Sequence, residues 1–218
     1  LKPAYASFVG LHEVPVAHGM TVGEYGKMVN DEGWLKDSIR CDLTVIEMEH
    51  YNRNKPYELP IAPSPNLPNQ KAIYLYPSLC FFEGTEISEG RGTDKPFQQF
   101  GYPNMPNGNT FFTPKSILGV AKHPKLEKRH CAGLDLSTLS NDSLLNLGGL
   151  NLNWLIDTYN GYPNKEQFFI ESFFDKLAGS SEMRQQIIDG KTAEEIRNSW
   201  SAELIAFKTL RNKYLIYP

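Results

Sequence analysis

A run of closely spaced prolines constrains the fold of this chain more than any other sequence feature. The prolines are Pro56, Pro60, Pro63, Pro65 and Pro68. Because proline lacks a backbone N–H and disfavours helical backbone in the residue before it, regular helix cannot pass through this segment. We therefore expect extended or turn-forming backbone here, and we place the boundary between two structural parts after residue 70.

The first part, residues 1–70, is predicted to be a fragment of an α/β domain. Thr21-Val22-Gly23-Glu24 has the pattern of a capping box, which predicts a helix running to about Asn30. Residues 41–48 are rich in β-branched side chains, which predicts a strand. One helix and one strand would make a thin domain, so we expect the earlier strands of this α/β unit to lie upstream.

The second part, residues 71–218, is predicted to combine a long loop region with a helical end. Residues 84–110 are dense in Gly, Asn, Pro and Thr, and a loop of this length in a compact domain is usually functional. The predicted fold class is therefore α/β, with the end of one α/β domain followed by an α+β domain whose C-terminal third is helical.

Periodicity and capping signals locate the helices of that last third. They are predicted over 141–157, 166–178 and 182–189, with a further helix after a second capping box at Thr192. Five apolar residues of this last helix share one face and are expected in the core: Ile196, Trp200, Leu204, Phe207 and Leu210. Residues 214–217 are expected to form a short strand or a docked tail.

Composition argues against several classes of protein. With 22 Lys and Arg against 25 Asp and Glu, the net charge is −3, so the basic surface typical of a DNA- or RNA-binding protein is missing. No apolar run approaches the ~20 residues that span a bilayer. Three cysteines without a CxxC pair favour neither a disulfide framework nor a zinc knuckle. The chain begins at Leu1 rather than Met, so we expect a processed or trimmed product.

The motifs of common cofactor and metal enzymes are also missing from the sequence. It contains no GxGxxG, P-loop, GxSxG or HExxH pattern, and its five histidines are scattered. We therefore expect no cofactor and no dedicated metal site.

The densest set of chemically useful residues lies in segment 82–93. Its Gly-rich backbone carries the carboxylates of Glu83, Glu86 and Glu89 together with Arg91. Glycosidases need one carboxyl group as an acid and often a second as base or nucleophile, and glycines permit the tight turns that bring such groups together. The alternative interpretation is an ordinary solvated surface loop.

Several other residues have both a functional and a structural interpretation. His18 precedes the first predicted helix, where an α/β fold often binds ligands, but it could equally be a loop histidine bonded to backbone. Glu24 is interpreted as a capping residue rather than a catalytic one, and the basic run 122–130 as a solvated face. Aromatic residues near the loops could stack on a sugar ring or simply pack: Tyr57, Tyr74, Tyr76, Phe100 and Tyr102.

The Gly-rich segment also carries a family resemblance. Glu83-Gly84-Thr85, Gly90-Arg91-Gly92-Thr93, Pro96-Phe97 and Gly101-Tyr102-Pro103 together resemble the NamZ-type (YbbC-like) exo-β-N-acetylmuramidases. Supporting matches follow in the order of the family: His18-Gly19-Met20-Thr21-Val22-Gly23-Glu24, Pro63-Ser64-Pro65-Asn66-Leu67-Pro68, Phe174-Asp175-Lys176-Leu177-Ala178-Gly179 and Tyr214-Leu215-Ile216-Tyr217. The resemblance spans nearly the whole chain.

This resemblance implies a fold and a function. Members of the family are about twice as long, with an N-terminal Rossmann-like domain, a C-terminal ancillary domain and an active site between them. Residues 1–70 would then be the end of the Rossmann-like domain, and residues 71–218 the ancillary domain. The family is bacterial and acts outside the cytoplasm, in the periplasm or as secreted enzymes. It removes N-acetylmuramic acid from the non-reducing ends of peptidoglycan. The implied partners are a peptidoglycan glycan or muropeptide and the missing N-terminal half.

Site roles follow from combining the residues with the resemblance. Glu83 is the carboxyl group expected nearest the chemistry, either as general acid or as a clamp on sugar hydroxyls. Arg91 is expected to bind the lactyl carboxylate of muramic acid, because a guanidinium matches a carboxylate with two hydrogen bonds. Four further residues are expected to line the cleft and bind substrate: His18, Glu89, Thr93 and Tyr102.

Two questions stay open at the level of sequence. The 2-acetamido group of the substrate could itself act as the nucleophile. The chain could also be a non-catalytic sugar-binding module that lacks an upstream catalytic group, or a scaffold that docks a separate N-terminal partner.

Overall fold

The computed structural model describes all 218 residues and contains both helices and a small sheet. The helices are α1 (Val22–Asp31), α2 (Gln70–Leu79), α3 (Asn141–Leu145), α4 (Asn153–Gly161), α5 (Glu171–Ala178), α6 (Glu182–Ile188), α7 (Ala193–Ser199) and α8 (Ser201–Arg211). The strands are β1 (Gln99–Tyr102), β2 (Thr110–Phe112) and β3 (Cys131–Asp135). Short 3-10 helices cover Pro3–Tyr5, Lys36–Ser38, Cys80–Gly84 and Lys165–Gln167. No helix is both long enough and apolar enough to cross a membrane.

The sheet has three antiparallel strands in the order β1-β3-β2. Phe100 pairs with Leu134 on one side of β3, and Phe111 pairs with Ala132 on the other. The mixed α/β character of the chain is confirmed, whereas the Rossmann-like character of residues 1–70 stays a prediction. The strand predicted over 41–48 is not formed, because no neighbouring strand supplies a ladder. Within this segment only Cys41 is hydrogen-bonded to α1, through the side chain of Asn30.

One large hydrophobic core holds residues 75–196 together. Its fully buried aromatic members are Phe81, Phe82, Phe100, Phe168 and Phe174. A second, small cluster joins the two ends of the chain, with Met28 of α1 packing against Phe207 of α8 and Tyr214. The apolar face predicted after Thr192 is therefore divided, because the helix breaks at Trp200 and Ile196 belongs to the large core while Phe207 belongs to the small one.

The other predictions for the last third are partly confirmed. The Thr192 capping box, α6 and the left-handed cap at Gly179 (φ 77°) are present. The helix predicted over 141–157 is instead two helices, α3 and α4, because Gly148 (φ 67°) and Gly149 (φ 154°) leave helical backbone between them. The helix predicted from 166 begins only at Glu171.

The C-terminal tail is docked rather than paired as a strand. The backbone N–H of Ile216 donates to Glu24 Oε1 at 2.7 Å, and Arg53 donates to the same oxygen at 2.6 Å. The N–H of Arg53 also bonds the carbonyl of Pro218. Glu24 additionally completes the predicted capping box with Thr21, so the structural interpretation of Glu24 is confirmed.

Candidate functional site

Glu83 and Arg91 form the centre of the candidate site. Glu83 lies on the 3-10 helix Cys80–Gly84, and Arg91 lies on the following turn. Arg91 Nη1 is 3.6 Å from Glu83 Oε2, and the two side chains are 36% and 20% exposed. The pair is therefore partly shielded from water but reachable by a ligand.

Close packing against α5 fixes the position of Glu83. A Cβ on Gly84 would lie 2.5 Å from the Cα of Phe174, so only glycine allows this approach. Two backbone bonds hold the same contact, from Ile170 N to Gly84 O at 2.9 Å and from Glu86 N to Phe168 O at 3.0 Å. Glu83 consequently stands on a rigid segment of the core.

The turn that carries Arg91 needs glycine on both sides of it. Gly90 and Gly92 have φ of 79° and 78°, in the left-handed region. The Thr93 hydroxyl stabilises the turn by donating to Gly90 O at 2.7 Å and accepting from Gln99 Nε2 at 2.8 Å. Thr93 therefore holds the loop in shape, and it lines neither of the cavities described next.

Two adjoining cavities meet at the Glu83–Arg91 pair. The first cavity has a volume of about 260 Å³ and is lined by Ser64, Asn66, Leu67, Tyr76, Glu83, Arg91 and Phe97. The second has a volume of about 170 Å³ and is lined by Glu83, Glu89, Arg91, His123, Pro124, Lys125 and Phe173. Glu83 and Arg91 line both cavities, so they form the wall that the two cavities share.

The first cavity combines an aromatic wall with a polar loop. The rings of Tyr76 and Phe97 contact each other edge to face at 4.9 Å. The Pro-rich segment supplies the polar side chains of Ser64 and Asn66 to the same cavity. Asn66 N donates to Ser64 Oγ at 3.2 Å, and Asn66 Nδ2 donates to Val120 O at 3.0 Å. The first cavity is therefore lined by aromatic and by polar side chains.

Burial raises the pKa of the Glu83 carboxyl above its ordinary value, and the nearby Glu89 carboxylate raises it further. Arg91, Lys125 and the Tyr76 hydroxyl act in the opposite direction without cancelling the shift. Burial, followed by the charge of Glu83, raises the pKa of Tyr76 to about 12. Glu83 therefore holds its proton to higher pH than a free glutamate does.

An ion pair between Lys125 and the buried Glu89 lines the second cavity. Lys125 Nζ lies 2.8 Å from Glu89 Oε2, without the angles of a hydrogen bond. The same ammonium group donates to the carbonyls of Phe82 and Thr85. Lys125 is thus held inside the site, so the prediction that residues 122–130 form only a solvated face is wrong for this residue.

The structure brings some of the predicted site residues together and separates others. Glu83, Glu89 and Arg91 share the second cavity. Tyr102 is buried in the main core, where its hydroxyl bonds Gly161 O at 3.0 Å. Glu86 is exposed and lines neither cavity.

His18 contacts the N-terminal part of the chain. Its Nδ1 accepts from Met20 N at 3.2 Å, and its ring stacks on Tyr25. Burial and the charge of Arg211 lower the pKa of His18. The contacts of His18 thus match its structural interpretation, and it lines neither cavity.

Sequence reasoning did not assign several residues that line the cavities. Ser64 and Asn66 lie in the Pro-rich segment, which the sequence identifies as a boundary and a supporting family match without giving either residue a site role, and Lys125 and His123 lie in the basic run. For Tyr76 the sequence predicts only that it is one of several aromatic residues near the loops. No group of three or more His, Cys, Asp or Glu side chains lies close enough together to hold a metal ion.

Comparison with known proteins identifies the family. The model of the N-terminal part of the exo-beta-N-acetylmuramidase NamZ matches residues 1–71, and the model of its C-terminal part matches residues 74–217. The peptidoglycan beta-N-acetylmuramidase NamZ of Bacillus subtilis (strain 168) is 36% identical over all of this chain. The chain spans 55% of that relative, about half of its length.

Two solved structures from Bacteroides fragilis NCTC 9343, both DUF1343 family proteins, have the same fold. One is 48% identical with a TM-score of 0.95, and the other is 21% identical with a TM-score of 0.73. Each alignment covers all of this chain and 61% of the solved one. The resemblance first seen in the Gly-rich segment is thus confirmed along the whole sequence, and the chain belongs to the exo-beta-N-acetylmuramidase NamZ family.

Proposed function

We propose that this chain forms one side of a site that removes N-acetylmuramic acid from the non-reducing ends of peptidoglycan glycans. The observation that carries the proposal is a partly buried carboxyl group, Glu83, with a raised pKa on the wall between two cavities. Family membership supports the substrate class, because the Bacillus subtilis relative is named a peptidoglycan beta-N-acetylmuramidase. Peptidoglycan lies outside the cytoplasm, so we also propose that the protein works there, in the periplasm or secreted.

Glu83 acts as the general acid in this proposal. A glycosidic oxygen leaves readily only when it receives a proton as the bond to the anomeric carbon breaks. Burial and the charge of Glu89 keep Glu83 protonated at higher pH, as this role requires. The proton passes from Glu83 to the leaving oxygen, and water then supplies the hydroxyl group of the released sugar and returns a proton.

The second carboxylate is less available for chemistry. Glu89 is buried and paired with Lys125, whose ammonium group is itself fixed by two carbonyls. We therefore favour the acetamido oxygen of the substrate, or a group in the other half of the longer family members, as the nucleophile.

Arg91 is the proposed ligand of the lactyl carboxylate that distinguishes muramic acid from glucosamine. Its guanidinium lines both cavities and is partly exposed. At 3.6 Å from Glu83 Oε2, Arg91 Nη1 lies beyond hydrogen-bond distance, so its guanidinium keeps donors for a carboxylate in a planar, two-bond geometry. Arg91→Ala should raise KM for muramic acid substrates far more than for analogues without the lactyl group. An equal loss for both would rule out this role.

A non-catalytic binding module is the second candidate function. Two carboxyl groups line the cavities, Glu83 and Glu89, and Glu89 is paired with Lys125. Only Glu83 is then available for proton transfer, which favours a binding role for the chain alone. In that case the chain would hold a glycan through both cavities while the cleaving groups lie elsewhere.

Release of N-acetylmuramic acid from short muramic-acid-terminated glycans distinguishes the two candidates. The assay compares this chain with a version extended upstream to the full length of its relatives. Release by the short chain would place all needed groups within these residues. Release by the extended version alone would place an essential group upstream. If neither version releases the sugar while the chain still binds glycans, the binding module replaces the enzyme.

A further inference from the structure

Lys125 lies on the connection between β2 and β3, yet its ammonium group contacts the segment that carries both carboxyl groups of the site. It donates to the carbonyls of Phe82 and Thr85, the second at 3.0 Å, and it lies 2.8 Å from Glu89 Oε2. Phe82 comes directly before Glu83 in the chain, and Thr85 comes two residues after it. One cation is therefore bound to the backbone on both sides of Glu83.

These contacts satisfy groups that have no other partner of the same kind. Thr85 is fully buried, and Lys125 is the one donor to its carbonyl. Glu89 is 2% exposed, and Lys125 is the one cation within ion-pair distance of it. A buried carbonyl without a donor and a buried carboxylate without a counter-charge are both costly. Removal of the ammonium group would therefore change the backbone around Glu83 and the charge state of Glu89.

Several titratable and charged groups surround Glu83. They are Tyr76 from α2, Cys80 from the same 3-10 helix, Glu89 and Arg91 from the turn that follows, and His123 and Lys125 from the connection between β2 and β3. Helix α5 contributes only the neutral ring of Phe173 to the second cavity. After burial, the charge of Glu89 has the largest influence and raises the pKa of Glu83, whereas Arg91 and Lys125 lower it.

Two carboxyl groups in one poorly solvated cavity share a proton when no cation compensates their charges, and such a pair titrates jointly. We propose that Lys125 is a positioning residue, which keeps Glu89 ionised and fixes the backbone on both sides of Glu83, so that only Glu83 of the two carboxyl groups holds the proton of the site. This inference rests on the proposed function, in which that proton is the one delivered to the leaving oxygen. Lys125 itself touches neither the substrate nor the proton.

Nuclear magnetic resonance of this chain, isotope-labelled at the side-chain carboxyl carbons of glutamate, measures the titration of Glu83 without any turnover. Glu83→Gln identifies the signal of Glu83 by its disappearance. Lys125→Met keeps the length of the side chain but removes its charge, so the titration midpoint of Glu83 should move about one pH unit or more upwards. Glu89→Gln should move it downwards by a similar amount, because the neighbouring negative charge is lost and the cation stays.

The double variant keeps the test valid if Lys125→Met alone fails to fold. Lys125→Met combined with Glu89→Gln leaves no buried charge unpaired, and the midpoint of Glu83 should return to within about half a pH unit of wild type. Lys125→Arg keeps the charge and should leave the midpoint near that of wild type. Lys95→Met is the matched control, because Lys95 pairs with Asp135 at 2.6 Å and lines neither cavity, so the midpoint should not move.

Opposite shifts in the two single variants that cancel in the double variant are a result that a merely structural lysine would not give. An unmoved midpoint in Glu89→Gln and in the double variant relative to each other, or an equal shift in Lys95→Met, would overturn the proposal. If the midpoint of Glu83 shifts as expected but Glu83→Gln in the version extended upstream still releases muramic acid, the proposed function fails and the role of Lys125 toward Glu83 stands. If Glu83→Gln abolishes release while the Lys125 variants leave the midpoint unchanged, the inference fails and the function stands.

Discussion

Replacing Glu24 with Gln should destabilise the chain strongly, although the substitution changes almost no volume. The side chain of Glu24 is fully buried. Its Oε1 accepts from Arg53 Nη2 at 2.6 Å and from Ile216 N at 2.7 Å, while Oε2 accepts from Thr21 N at 2.8 Å. This one carboxylate therefore joins α1, the segment before the Pro-rich region and the C-terminal tail.

The size of the effect follows from the donors that surround Glu24. A glutamine amide has a single oxygen, so its nitrogen must face either the N–H of Thr21 or the donors of Arg53 and Ile216. Each buried donor left without an acceptor costs about 1–3 kcal/mol, and Arg53 also loses its counter-charge. We expect the free energy of unfolding to fall by about 2–4 kcal/mol.

Urea unfolding followed by circular dichroism measures this loss. Glu195→Gln is the matched control, because Glu195 closes the same capping box on Thr192 but its side chain is 53% exposed. That control should lose less than about 1 kcal/mol. Equal and small losses in the two variants would refute the reasoning that Glu24 is a buried junction.

The pH dependence of stability gives an independent check on Glu24. Burial raises its pKa, but the N–H groups of Thr21, Ile216 and Tyr217 and the charge of Arg53 outweigh burial and lower it. Because the folded-state pKa lies below the unfolded one, Glu24 contributes stability above the ordinary carboxyl range and loses it as the pH falls through the folded-state pKa. The difference in free energy of unfolding between wild type and Glu24→Gln should therefore become smaller as the pH is lowered into the acid range.

Gly92→Ala should lower the free energy of unfolding by more than about 2 kcal/mol, because the new Cβ would lie 2.5 Å from Lys115 O. Gly119→Ala, also at positive φ but with open space around it, should cost only about 1 kcal/mol in the same urea assay. In the extended enzyme, a substrate carboxylate on Arg91 should weaken the charge that lowers the pKa of Glu83. The basic limb of kcat should then lie at higher pH than that of kcat/KM, and coincident limbs would contradict this coupling.

Local signals in the sequence predicted the local structure well. Both capping boxes, at Thr21 and at Thr192, depend on side chains three residues apart and are present. The strand predicted over 41–48 failed because β-branched residues form a strand only when another strand pairs with them. The sequence does not predict the three-stranded sheet, because β1 and β2 lie within or beside a Gly-rich region with little strand propensity. Both form strands because they pair with β3.

The same distinction applies to the candidate site. Glu83 and Arg91 could be selected because they lie eight positions apart on one Gly-rich segment and match a family motif. Lys125 could not, since it reaches the second cavity only through the folding of a distant segment. Asn66 lies in a matched family segment, but nothing in that segment indicates that it lines the first cavity. A long-range ion pair such as Glu89–Lys125 has no periodicity or spacing by which a single sequence would indicate it.

The central claim is that Glu83 delivers the proton, and its most direct test is turnover of Glu83→Gln in the version extended to the full length of its relatives. Glutamine keeps the shape of the side chain but has no proton to give, so we predict a loss of at least ~10² in release of N-acetylmuramic acid. Glu86→Gln is the control, because Glu86 is exposed and lines neither cavity. Near wild-type turnover of Glu83→Gln, or equal losses in both variants, would contradict the account.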